Sequence, residues 1–157
     1  MLNDTIEIEE MLREVFEQMR RDIIARHEQA GQVASGKTRD SLRSEIVPGM
    51  SSVTATLYGR KYFAALETGS KPWAKQYQHP PKPFVETIAE WMRDKGITGV
   101  SAYLVARKIM QEGSLLHRNP DMRPDIFTTP MKEAEERIDE QISALFERIT
   151  TETIAKI

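Results

Sequence analysis

The chain has 157 residues, of which 39% are hydrophobic and 29% charged, a balance that fits one globular, soluble domain with a core of its own and argues against disorder. It contains no cysteine, which excludes disulfides and thiolate metal sites, and its net charge of −2 gives no global attraction to nucleic acid or anionic membrane. No apolar run approaches the roughly 20 residues of a membrane span, residues 1–5 lack the basic and apolar regions of a signal peptide, and the absence of cysteine fits a cytosolic origin.

The distribution of charge says more than its sum. Residues 1–30 carry four basic against eight acidic side chains, and residues 37–83 carry eight against three. Residues 84–130 balance at six each, and residues 131–157 carry four against seven. The ends are acidic and the middle is basic. Solvated helix faces account for such runs in most proteins; electrostatic complementarity between copies is the alternative.

Along the chain, residues 5–30 form an amphipathic helix by pattern. Ile8, Met11, Leu12, Val15, Phe16, Met19 and Ile23 recur at three- and four-residue spacing, Asp4 or Thr5 can cap the start, and Gly31 stops it. A polar turn over 33–42 leads to a hairpin with arms at 43–47 and 52–58 and a turn at Pro48-Gly49-Met50-Ser51. In the second arm Val53, Ala55 and Leu57 alternate with Thr54, Thr56 and Tyr58. Two strands are marginal alone, so a covering helix, an extra strand near Phe127 or a neighbouring subunit is expected. Proline-punctuated sequence from Lys71 to Pro83 is a loop. Helices follow at 84–95, with apolar Phe84, Val85, Ile88, Trp91 and Met92, and at 102–112, capped by Ser101 and stopped by Gly113. Residues 114–125 read as irregular. A last helix spans about 129–155, with Met131, Ala134, Ile138, Ile142, Leu145 and Ile149 in period, Pro130 at its first helical position and Thr129 before it. The class is α+β: long N- and C-terminal amphipathic helices packed on a small antiparallel sheet, in a single domain 1–157 with a loop-plus-two-helix insertion at about 72–124.

No constellation has the layout of an active site. His27, His79 and His117 are scattered, without metal-ligand spacing. Gly31-Gln32-Val33-Ala34-Ser35-Gly36-Lys37-Thr38 matches a phosphate-loop pattern literally, but that mechanism needs a preceding strand, and an acidic helix stands there instead. The paired helices at 84–112 resemble a helix–turn–helix, yet the second opens with Ala102-Tyr103-Leu104-Val105-Ala106, core residues where a DNA reader would expose polar ones. Carboxylate pairs such as Glu9-Glu10 and Glu135-Glu136 lie on polar helix faces. No enzyme, metal or cofactor is expected.

The remaining signal is aromatic. Tyr62, Phe63, Trp73 and Tyr77 crowd a basic stretch with Lys61, Lys71 and Lys75; a satellite core under a loop and a subunit interface both fit. Three elements then recur in order. Residues 35–42 correspond to a "T-G-x-L-x-x-S-I" element, and Tyr62 through Glu67, Gly69 and Ser70 to "Y-x-x-x-x-E-x-G-T". Residues 124–131, Pro-Asp-Ile-Phe-Thr-Thr-Pro-Met, correspond to "P-F-L-x-P-A". In this order they resemble the head–tail joining or tail-completion (neck) family of tailed bacteriophages, small proteins akin to minor tail protein Z of lambdoid phages; Ser70 stands for the usual threonine and Met131 for alanine. The insert with Trp91, Lys95-Gly96, Ala102-Tyr103, Ala106-Arg107-Lys108-Ile109 and Glu112-Gly113 is similar to one in a subset of these proteins. The resemblance implies a non-enzymatic virion component, a homo-oligomeric ring at the neck or tail. Its neighbours would be a connector, tail terminator or tail tube, with no membrane, no sequence-specific nucleic acid, and room for non-specific contact with genome DNA in the lumen. The expected subunit-interface residues are Lys61, Tyr62, Phe63, Glu67, Lys71, Trp73 and Tyr77. A DNA-binding or regulatory module on residues 84–112, or a cytosolic protein-interaction domain, are the other readings.

Overall fold

A computed structural model describes residues 2–155. The fold is α+β and 61% helical, with long terminal helices, a two-stranded antiparallel sheet and a helical insertion. The elements are α1 (Leu2–Gln29), α2 (Lys37–Asp40), β1 (Arg43–Pro48), β2 (Val53–Tyr58), α3 (Ala65–Thr68), α4 (Lys82–Asp94), α5 (Ala102–Glu112), α6 (Leu115–Arg118), a 3-10 turn (Pro120–Met122) and α7 (Thr128–Ile154). They fall into two compact units. The first comprises Met1–Arg26, Ser41–Gly59 and Ile126–Ile157; the second comprises His27–Asp40 and Arg60–Asp125, and so takes in 72–124 together with 27–40 and 60–71.

In the first unit, Leu12, Val15, Met19 and Ile23 are buried along one stripe of α1, and Ala134 and Leu145 on α7. The two helices run antiparallel. Glu7 pairs with Arg148, Ile8 and Met11 share a groove with Ala144 and Leu145, and Arg13 and Glu17 line another with Arg137, so α7 numbers fall as α1 numbers rise. Helix α1 is already under way at Leu2, so Asp4 is not a cap; it lies in the first turn, where its charge complements the positive end of the helix dipole.

The sheet pairs Arg43 with Tyr58, Ser44 with Leu57 and Ile46 with Ala55. Ser44, Ile46, Val53, Ala55 and Leu57 therefore share one face and are half-buried, while Arg43 sets its guanidinium 4.9 Å over the Tyr58 ring on the other. A four-residue loop closes the hairpin, with the Gly49 amide donating to the Ser52 carbonyl at 2.7 Å. Pro48 belongs to the strand rather than the turn, tolerated because it ends an edge strand. No third strand forms near Phe127 among the described residues. The Phe127 carbonyl accepts the first helical bond of α7, from Met131, which commits this backbone to the helix entry. Pro130 sits third in α7, where the missing amide costs no helical bond.

In the second unit, α4 and α5 form a helical hairpin. Ile88, Met92 and Ala106 are buried, with Phe84, Val85, Ala102, Val105 and Ile109 packed on them. Burying each large side chain of this kind stabilises by about 1.5 to 3 kcal/mol. Helix α4 ends in a tight reversal at Gly96, where the Ile97 amide donates back to the Met92 carbonyl at 2.8 Å. Ser101 occupies the α5 start without a side-chain cap bond, contrary to expectation. Residues 114–125 are more regular than their prolines suggest, holding α6 and the 3-10 turn.

Candidate functional site: an aromatic, basic cleft and the clasp beneath it

All seven expected interface residues fall in the second unit. Lys61 and Tyr62 are exposed in the turn before α3, with the ammonium 6.0 Å from the ring centre; Phe63 and Glu67 are half-buried. Lys71 is exposed. Trp73 is half-buried and packs 5.1 Å from the Phe84 ring and edge-to-face at 5.6 Å from Tyr77, which stays 51% exposed. The structure thus brings Trp73 and Tyr77 together over the start of α4 and leaves Lys61 with Tyr62 as a local pair.

The Glu67-Thr68-Gly69-Ser70 stretch has a structural task. Gly69 and Gly113 adopt φ of 74° and 82°, a region L side chains rarely enter. The two Gly-Ser pairs lie against each other. The Ser70 amide donates to Ser114 Oγ and the Ser114 amide donates to the Ser70 carbonyl, each at 2.9 Å. The Trp73 amide continues the clasp by donating to the Met110 carbonyl at 2.8 Å. A Cβ on Gly113 would lie 2.8 Å from the Ser70 carbonyl oxygen, and one on Gly69 would meet the His117 amide and Ser114 Oγ. This clasp fixes the loop that carries Trp73, Lys75 and Tyr77. Repeated Gly-Ser pairs 44 residues apart were its only trace in the sequence.

Above the clasp lies an open cleft of about 400 Å³. Trp73, Lys75, Tyr77 and Gln78 form one wall, and Arg107, Met110 and Gln111 of α5 the other. His79 Nδ1 meets the Tyr103 hydroxyl at 2.9 Å and ties the far end of the loop to α5. Tyr103 and Leu104 are 37% and 57% exposed, so the opening of α5 is not wholly core as its composition suggested.

A second feature escaped the sequence reading. His27 in the last turn of α1 is 2% exposed, and neither ring nitrogen has a hydrogen-bond partner among the described residues; buried Gln32 Oε1 shares that condition. Desolvation lowers the His27 pKa below its ordinary value; Glu28 opposes that shift, and Lys95 and Arg39 reinforce it. Around it, Lys95 Nζ donates to the Gly31 carbonyl at 2.6 Å, Gln32 Nε2 to the Leu66 carbonyl at 2.7 Å, and Arg39 pairs with Glu28 at 3.2 Å. These bonds secure residues 27–40 within their unit. Gly31 to Thr38, the phosphate-loop match, follows a helix and ends in the four-residue α2, so the strand that mechanism needs is not there.

No group of three or more histidine, aspartate or glutamate side chains suited to a metal occurs among the described residues. Comparison with known proteins finds no matching family model, no matching curated protein and no matching solved structure.

Proposed function

We propose that the chain is a structural virion protein of a tailed phage, a neck or tail-completion component that joins or completes the tail as a ring of identical copies. The reading rests first on the ordered motifs at 35–42, 62–70 and 124–131. The single structural observation that supports it best is a sheet of two strands with no third strand on either edge among the described residues, a form that invites completion by a neighbour. Charge supports it as well. The first unit carries nine basic and fifteen acidic side chains, a net −6, and the second thirteen and nine, a net +4. A ring joins unlike surfaces head to tail, and oppositely charged units provide them. On this reading the chain performs no bond-making chemistry, and the clasp and cleft serve assembly.

The test is genetic and visual. A stop codon at Glu7, introduced in the phage genome encoding the chain, is expected to yield filled heads and separate tails by electron microscopy, with infectivity restored by the chain supplied in trans. Complete, infectious particles without the chain would refute the assignment.

A further inference from the structure

The cleft of the second unit sets the aromatic rings of Trp73 and Tyr77 beside two cations, Lys75 and Arg107. Among the described residues, Lys75 and Arg107 make no ion pair or hydrogen bond, and Tyr77 is half in solvent. A ligand that fits would offer a large apolar group to the half-buried Trp73 and the exposed Tyr77 and carboxylates to the two cations beside them. The chain itself carries such a surface. On α7, residues 135, 139, 142 and 146 project along one stripe at helical spacing. Glu135 and Asp139 are exposed there without an ion-pair partner among the described residues, and Phe146 is 62% exposed. An exposed phenylalanine in line with two free carboxylates is the chemical complement of the cleft.

We infer that the Trp73–Arg107 cleft of one copy receives the Glu135–Asp139–Phe146 stripe of α7 from a second copy. The contact is heterologous, joining different surfaces, so each copy keeps one cleft and one stripe free for the next and the arrangement propagates. This inference rests on the self-assembly reading above and names the surfaces that would carry it. An acidic segment is favoured over nucleic acid because the cleft has only two cations, Lys75 and Arg107, and because the first unit supplies the matching excess of carboxylates.

Sedimentation of the full chain and its variants tests the contact. Lys75→Glu/Arg107→Glu and, separately, Glu135→Lys/Asp139→Lys are each expected to abolish self-association, since every substituted residue is exposed and the fold is left intact. Mixing the two variants pairs each reversed cleft with a reversed stripe and is expected to restore association. Phe146→Ser should weaken it roughly tenfold or more, as loss of a central anchor does. A parent that associates while both charge variants associate equally well would overturn the contact and leave the self-assembly reading standing. Failure of the mixture to recover would also overturn it. A parent that sediments only as a monomer would overturn both. Loss of duplex DNA retention by Lys75→Glu/Arg107→Glu, with self-association unchanged, would reassign the cleft to nucleic acid.

Discussion

A hairpin of helices, α4–α5, and a hairpin of strands, β1–β2, end with opposite needs. In α4–α5, Ile88, Met92 and Ala106 are buried against each other and the hairpin closes its own apolar face. In β1–β2 no residue is buried, the inward face is only half-covered, and both outer edges lack a partner strand among the described residues. The difference lies in the backbone. A helix satisfies its amides and carbonyls internally and needs only one apolar contact, whereas a strand spends half of its groups on each side and a two-stranded sheet leaves two rows over. The sheet therefore leaves backbone groups over at its edges, whereas the helical hairpin closes its own apolar face.

The contrast breaks first at the buried side chains. Met92→Ala, at a site 5% exposed, should destabilise the protein by about 3 to 4 kcal/mol in urea denaturation, while Leu57→Ala in the half-covered sheet should cost about 1 kcal/mol. Equal losses would mean that the sheet is as firmly packed as the helical hairpin. Next comes the clasp. Gly113→Val forces a branched side chain into a left-handed conformation against the Ser70 carbonyl and should cost about 3 kcal/mol. Gly31→Ala, also at positive φ but with open space around it, should cost about 1 kcal/mol. If the two substitutions are alike in melting temperature, the close approach of the Gly-Ser pairs is not a constraint.

A smaller effect comes from pH. His27 has its pKa lowered in the fold, so the folded state holds its neutral form and binds fewer protons than the unfolded chain. Its contribution is complete above the ordinary value of 6.5 and is lost as the pH falls from 6.5 toward the lowered folded value. The slope for one proton is at most about 1.4 kcal/mol per pH unit. Denaturation midpoints between pH 7.5 and 5.5 should fall for the parent and fall less for His27→Leu; parallel curves would show that the buried ring does not sense pH. Smallest of all on stability is Lys61→Glu/Lys71→Glu, two exposed cations of the basic unit. Melting should be unchanged while self-association weakens, and normal assembly at physiological salt would remove these two lysines from the account.

The long elements were legible because their signals are local. Apolar spacing marked α1, α4, α5 and α7 to within a few residues, and alternation around Pro48-Gly49 marked the hairpin. The segments 60–70 and 114–125 were not, since α3 and α6 are single turns too short to show a period, and the bond that joins their flanks is long-range. Ser70 meets Ser114 across 44 positions, a relation no window of sequence exposes. The burial of His27 was hidden for a similar reason. On the α1 pattern it follows Ile23 by one turn and extends the buried stripe, but a histidine there carries no mark of whether its ring is covered. Trp73 was legible only as one of two alternatives; its ring packs on Phe84 and edge-to-face on Tyr77 and stays half-buried, while Tyr77 remains half in solvent.

Native mass spectrometry of the purified chain at physiological ionic strength tests the central claim most directly. A discrete closed multiple of the 18.0 kDa protomer, dissociating as salt is raised, is the expected result. A single 18.0 kDa species at every protein concentration and salt would contradict the claim that this chain is built to be completed by its own copies.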